Sequence, residues 1–173
     1  MLTAHVIASV GWLGAVAVSF ALGIVALLSS DVSTVRSVYV VLELMAWTTL
    51  VPLSVGSLVT GVIQSLGTTW GLLRHYWVIA KLAINLFASF VLLIYTQTLR
   101  QFAEAARSVG DLNTLRDPSV AIHSGAALVL LVVATVLSVY KPRGMTRYGQ
   151  RKQRAALRRR HPQPATTGVP ASR

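Results

Sequence analysis

The sequence predicts an all-α membrane protein: a four-transmembrane-helix bundle followed by a basic C-terminal tail that is largely disordered. Three observations predict it. Hydrophobic residues make up 54% of the 173 residues and charged residues only 12%, about half the charged share of an ordinary soluble domain. The mean hydropathy is +0.62. The charge is also segregated, because residues 141–173 hold ten of the sixteen Lys and Arg and no Asp or Glu. The net charge of +11 therefore belongs to the tail and does not mark a nucleic-acid-binding domain. With no cysteine in the chain, a disulfide framework, a thiolate metal site, an iron–sulfur cluster and a cysteine nucleophile are all excluded.

The spans follow in order over about 2–28, 38–66, 76–99 and 120–140, within a membrane domain covering 1–141. The first has no Lys or Arg ahead of it and is too long for a signal-peptide core, so it reads as an uncleaved span. Residues 29–37 read as a polar turn. The second span contains Pro52, which removes one helical hydrogen bond and predicts a kink. Residues 67–75 form the next turn. The third span carries Phe102, Ala106 and Val109 at helical spacing past its end, so the helix is expected either to continue beyond the membrane or to lie on its surface. Asp117 and Pro118 read as N-cap and first helical residue of the fourth span. Residues 142–173 form the tail, in which 147–160 can make a short basic helix.

Charge gives the orientation. Lys and Arg gather on the cytoplasmic side of span ends, so the tail is expected in the cytoplasm and, with four spans, the N-terminus too. Arg74 in the second turn obeys the same rule, and the two remaining connections carry acids. The expected location is a bacterial plasma membrane.

Polar residues in a bilayer face the bundle interior. Stripes at a spacing near 3.5 run through His5, Ser9, Trp12, Ser19 and Gly23 in the first span. They continue in the second through Glu43, Trp47, Ser54, Ser57, Gly61 and Gln64. The third offers Lys81, Asn85, Ala88 and Tyr95, and the fourth His123, Ala127, Ala134 and Ser138. That spacing predicts left-handed packing with small residues at the seams. Glu43 and His123, both near the outer ends, form a candidate intramembrane pair. His5, Gln64, His75, Lys81 and Asn85 mark a candidate pocket on the cytoplasmic side. Trp70, Tyr76 and Trp77 read as interfacial anchors. Arg151, Lys152, Arg154, Arg158, Arg159 and Arg160 are expected to bind the anionic cytoplasmic leaflet.

No catalytic motif stands out, so an enzyme is not expected. Three readings remain. The first is a structural or accessory membrane subunit, working as a homo-oligomer or with a membrane partner. The second is a small transport or proton-coupled module using the ionisable residues at each end. The third is a b-type haem protein on His5 and His75, since His5 and His123 lie at opposite ends and cannot share one iron. Haem is the least supported, and no cofactor or metal is expected. Nucleic acid is not an expected partner, because the tail lacks interleaved aromatics.

The segments AHVIASVGWLGAV in the first span, ELMAWTTLVPLSVGSLVTG in the second and SLGTTWGLLRHYWVIAKL across the turn resemble a group of uncharacterised small four-span membrane proteins of GC-rich Gram-positive bacteria. A histidine one turn into the first span, followed by Trp-Leu-Gly, is more remotely similar to four-helix modules of the copper-resistance D type. The resemblance covers about residues 4–140 and implies the fold and a membrane location. It implies no activity.

Overall fold

The computed structural model describes residues 2–67, 75–108, 115–140 and 144–160. Among the described residues these helices follow one another: α1 (Leu2–Leu28), α2 (Val32–Gly67), α3 (Tyr76–Arg107), α4 (Ser119–Tyr140) and α5 (Arg147–Arg160). The first four are each long and apolar enough to cross a membrane. They pack in a ring in which each helix touches the next and α4 closes back onto α1. The end of the bundle at which α1 begins, called the proximal end below, also holds the end of α2, the start of α3 and the end of α4.

In α1 the buried residues are His5, Ala8, Trp12, Ala15, Val16, Ser19, Gly23 and Ala26. His5, Trp12, Ser19 and Ala26 recur every seven residues, the repeat of left-handed helix packing. Small residues set the seam with α4. A Cβ on Gly23 would lie 3.0 Å from the backbone nitrogen of Ala121, and one on Gly125 would lie 3.1 Å from the ring of Phe20. With lipid as the surrounding solvent, such close approach is what favours helix association.

Helix α2 begins at Val32, six residues before the expected start of the span. The reason is local: the Asp31 carboxylate accepts the amides of Ser33 at 3.2 Å and Thr34 at 3.0 Å. What reads by composition as a turn is an N-cap and first helical turn. The hydroxyls of Thr34 and Ser33 also donate to this carboxylate and, with the two amides, hold it down to a pKa of about 2.

Pro52 makes no sharp stop. Instead α2 widens into a π turn over Ala46–Leu50, closed by the Val51 amide bonding the carbonyl of Ala46. This turn lies directly before the proline and absorbs both its bulk and its missing donor. The inward face of α2 is Val35, Val38, Tyr39, Leu42, Ala46, Leu50, Ser54 and Ser57. Trp47, assigned to that face from spacing alone, turns outward and is 53% exposed.

At the distal end α3 runs past the expected limit at 99, as its apolar periodicity predicts. Tyr39 and Phe102 bring their rings to 5.1 Å, and the Tyr39 hydroxyl donates to the carbonyl of Leu115 at 2.5 Å. Asp117 caps α4 by accepting the Ser119 amide at 2.6 Å. The hydroxyl and amide of Ser119 keep the Asp117 carboxyl below the usual carboxylate range. At mid-depth Trp12, Val16, Leu50, Ala88 and Leu131 belong to one buried apolar cluster.

The outward surface is apolar. Ile7, Phe87, Phe90, Ile94, Ile122 and Val129 are all exposed, a continuous greasy exterior of the kind a bilayer covers. Beyond α4, an antiparallel bridge joins Met145 to His75, so α5 starts beside the start of α3. Residues 147–160 are helical over the range that the sequence marks as a basic helix. The tail from 161 onward lies outside the described residues.

Candidate functional site

Three helices build a polar pocket at the proximal end. α1 contributes His5, α2 contributes Ser57, Gly61, Gln64 and Ser65, and α3 contributes Trp77, Lys81 and Asn85. The cavity they line holds about 210 Å³. His5, Gln64 and Lys81 all lie within about two turns of a helix end.

His5 enters the ring because Gly61 leaves room for it. A Cβ on Gly61 would sit 3.0 Å from the His5 Cε1 atom. The ring is then fixed by hydroxyls. Thr60 donates its single proton to the Gly56 carbonyl at 2.5 Å, so its oxygen accepts from His5 Nδ1 at 3.1 Å. In the tautomer that matches these partners, Nδ1 carries the proton and Nε2 presents a lone pair. That lone pair faces Lys81 Nζ at 3.4 Å and the Ser9 hydroxyl at 3.5 Å. Ser9 in turn shares a hydrogen bond of 2.9 Å with Ser57. The His5–Lys81 contact crosses the diagonal of the ring, from α1 to α3.

Charge is unbalanced here. The five acids of the chain are Asp31, Glu43, Glu104, Asp111 and Asp117, and the four that are described all belong to the distal half. No acid occurs from 44 to 103 or after 117, so no acidic side chain of this chain reaches the proximal end from its own turn or from the tail. The ion pairs among the described residues are Arg100 with Glu104 and Arg107 with Glu43. Lys81 is thus a half-buried cation whose hydrogen-bond partner is a neutral imidazole. Gln64 adds a second imbalance, because its buried Oε1 has no donor among the described residues.

Of the five pocket residues expected from sequence, the structure brings four together: His5, Gln64, Lys81 and Asn85. His75 is not in the lining; it precedes α3, with its ring 6.5 Å from that of Trp77 and its backbone bridged to Met145. Of the three anchors, Tyr76 is 59% exposed, Trp77 lines the pocket, and Trp70 lies outside the described residues, as does Arg74. Thr60 escaped the sequence reading although it orients His5. Its signal was its place beside Gly61 at the depth of His5.

Glu43 and His123, expected as a pair, take different partners. The Glu43 carboxylate accepts from Arg107 at 2.5 Å. His123 donates from Nδ1 to the Ser119 carbonyl at 2.8 Å and stacks on Tyr95 with centroids 4.4 Å apart. The physical reason is that Leu42 and Ala46 take the inward face of α2, leaving Glu43 at its edge within reach of the long arginine on α3. In the tail, Arg151, Lys152 and Arg154 are exposed on α5, and Lys152 lies 5.3 Å from the ring centre of Tyr148. Arg158, Arg159 and Arg160 close that helix.

No protein-family model, curated protein or solved structure matches the chain. The pocket therefore stands on its own chemistry. Both ring nitrogens of His5 are engaged, and the Nε2 lone pair faces an ammonium group, an unfavourable setting for an iron ligand. Among the described residues, no three His, Asp or Glu come together to hold a metal.

A second, apolar cavity of about 370 Å³ lies between the helices toward the distal end. Trp12, Leu50, Ala88, Tyr95 and His123 are in its walls, and the buried Trp12 Nε1 has no acceptor among the described residues.

Proposed function

We propose that this chain is an accessory protein of the plasma membrane that works by binding, with both termini in the cytoplasm and the proximal pocket as its working part. The observation that supports this is the half-buried Lys81, which meets the neutral His5 at the heart of a polar cavity with no acid in reach. An ionisable residue so placed costs free energy in a lipid setting, and structure alone gives no return for it, since Met or Leu would pack at the same position. The acid-free proximal end and the ten basic residues of the tail support the cytoplasmic orientation.

The buried cluster of Trp12, Val16, Leu50, Ala88 and Leu131 favours this reading over a proton-coupled module, because none of these five side chains titrates. Group resemblance to small four-span proteins of Gram-positive bacteria fits a binding or accessory role without adding an activity.

Affinity purification of the full chain from its native membrane under mild detergent tests the proposal. A stoichiometric membrane partner or a homo-oligomer, reduced by Lys81→Met, is the expected result. A bare monomer from both wild type and variant contradicts it.

A further inference from the structure

Two imbalances in the proximal pocket specify what would complete it. Lys81 offers a positive charge with no negative partner, and the chain has no acid at that end to provide one. Gln64 offers a buried carbonyl oxygen with no donor among the described residues. Both side chains line the same cavity of about 210 Å³, as does the buried Asn85. A buried charge is stable when paired, and a buried acceptor when something donates to it. One ligand satisfies both if it carries an oxyanion and, a few bonds away, a hydroxyl.

The surroundings give the source of such a ligand. The pocket's His5, Gln64 and Lys81 lie within about two turns of the helix ends, near the depth at which a bilayer changes from hydrocarbon to headgroups. Its cavity is smaller than the usual site for a drug-sized molecule and suits a headgroup. The start of α5 is tied to the start of α3 through Met145 and His75, and Gly144 packs near Tyr76. The exposed Arg147, Arg151, Lys152 and Arg154 therefore follow from an anchor beside the same end of the bundle, where they attract anionic lipid.

We propose that the proximal pocket binds a phosphoglycerol group, its phosphate oxygen on Lys81 Nζ and a glycerol hydroxyl donating to Gln64 Oε1. This inference rests on the pocket being the working part of the protein. His5 is a positioning residue in it: with Nδ1 committed to Thr60, its Nε2 lone pair holds the Lys81 ammonium toward the cavity. The remaining ammonium protons are then aimed at the ligand. No bond is made or broken.

Native mass spectrometry of the full-length protein tests this, with phosphatidylglycerol, phosphatidic acid, phosphatidylcholine or free glycerol phosphate added. Phosphatidylglycerol should bind ahead of phosphatidylcholine. Lys81→Met should lower its affinity about tenfold, the size of one charge-assisted contact, while Lys81→Arg retains most of it. Gln64→Leu should erase the preference for phosphatidylglycerol over phosphatidic acid, which has no headgroup hydroxyl. Neutralising Arg151, Lys152 and Arg154 should weaken all anionic lipids alike.

Free glycerol phosphate binding with the same Lys81 dependence supports the site and assigns it to a soluble ligand. Equal binding of phosphatidylglycerol and phosphatidylcholine overturns the proposal, as does affinity unchanged by Lys81→Met in protein that remains monodisperse. If those results appear while a partner is still recovered in a Lys81-dependent way, the ligand class fails and the binding role of the pocket stands.

Discussion

Lys81 Nζ lies 3.4 Å from Nε2 of His5, a contact between a cation and a neutral ring that spans the diagonal of a four-helix ring. The contact holds because Thr60 fixes the imidazole proton on the opposite nitrogen. It leaves the lysine without a counter-charge. The pocket is thus organised around a cation that the protein orients but does not neutralise.

Removing that cation should stabilise the empty protein. In detergent stripped of anionic lipid, Lys81→Met is expected to raise the thermal midpoint, by a change of about 1–3 kcal/mol, because an uncompensated charge is replaced by a side chain of like length. Added phosphatidylglycerol should raise the wild-type midpoint and leave that of the variant nearly still. Thermal denaturation with and without lipid reads both effects.

His5→Ala should destabilise the bundle by about 1–3 kcal/mol, since it strips partners from Thr60, Ser9 and Lys81 and opens a void beside Gly61. Gly61→Ala tests the same packing from the other side. With its Cβ 3.0 Å from the ring, it should cost about 1–3 kcal/mol and shift the His5 ring resonances by nuclear magnetic resonance.

The Glu43–Arg107 contact can be tested by a double-mutant cycle. Glu43→Gln and Arg107→Gln should be coupled by about 0.2–1 kcal/mol, a small value because Arg107 is half exposed. Glu43→Gln and His123→Phe should be additive within error. Strong coupling of the second pair would restore the partnership suggested by their depth in the sequence.

The Asp31 cap should be sensitive to acid. Its carboxyl titrates at about 2 in the folded chain, below the ordinary 3.8, so ionisation supports the start of α2 fully above the ordinary value. That support is lost as the pH falls through the window from 3.8 to about 2. Hydrogen exchange at the Ser33 and Thr34 amides, corrected for the intrinsic rate, should lose protection across this window. In Asp31→Ala the protection should be low throughout.

Much of this fold was legible in the sequence because membrane helices must satisfy their own backbone and bury their few polar residues. Four apolar runs, the Asp117-Pro118 cap and the apolar spacing past 99 all pointed to observed features. The start of α2 was not legible, because the Ser and Thr residues around Asp31 have the same composition in a turn and in a capped first turn. Nor was the outward turn of Trp47, since a π turn adds a residue to the helical period and no periodic pattern foretells it. In the site, His5, Gln64, Lys81 and Asn85 could be grouped by depth alone. Depth also suggested Glu43 with His123, and there it misled, because it carries no information on which face a residue occupies or how far an arginine reaches. Thr60 was hidden for a related reason: a threonine bonding its own helix looks the same whether or not its oxygen also orients a histidine.

The absence of cysteine from the chain makes one measurement decisive for the pocket. Ser65 lines it, and Ser65→Cys would be the single thiol in the protein. Its modification should be followed in inside-out and right-side-out vesicles, using negatively and positively charged membrane-impermeant thiosulfonates. The account predicts reaction only from the cytoplasmic face, faster with the anionic reagent, with that preference lost in Lys81→Met. Reaction from the external face alone, or equal rates for the two reagents in wild-type background, would contradict it.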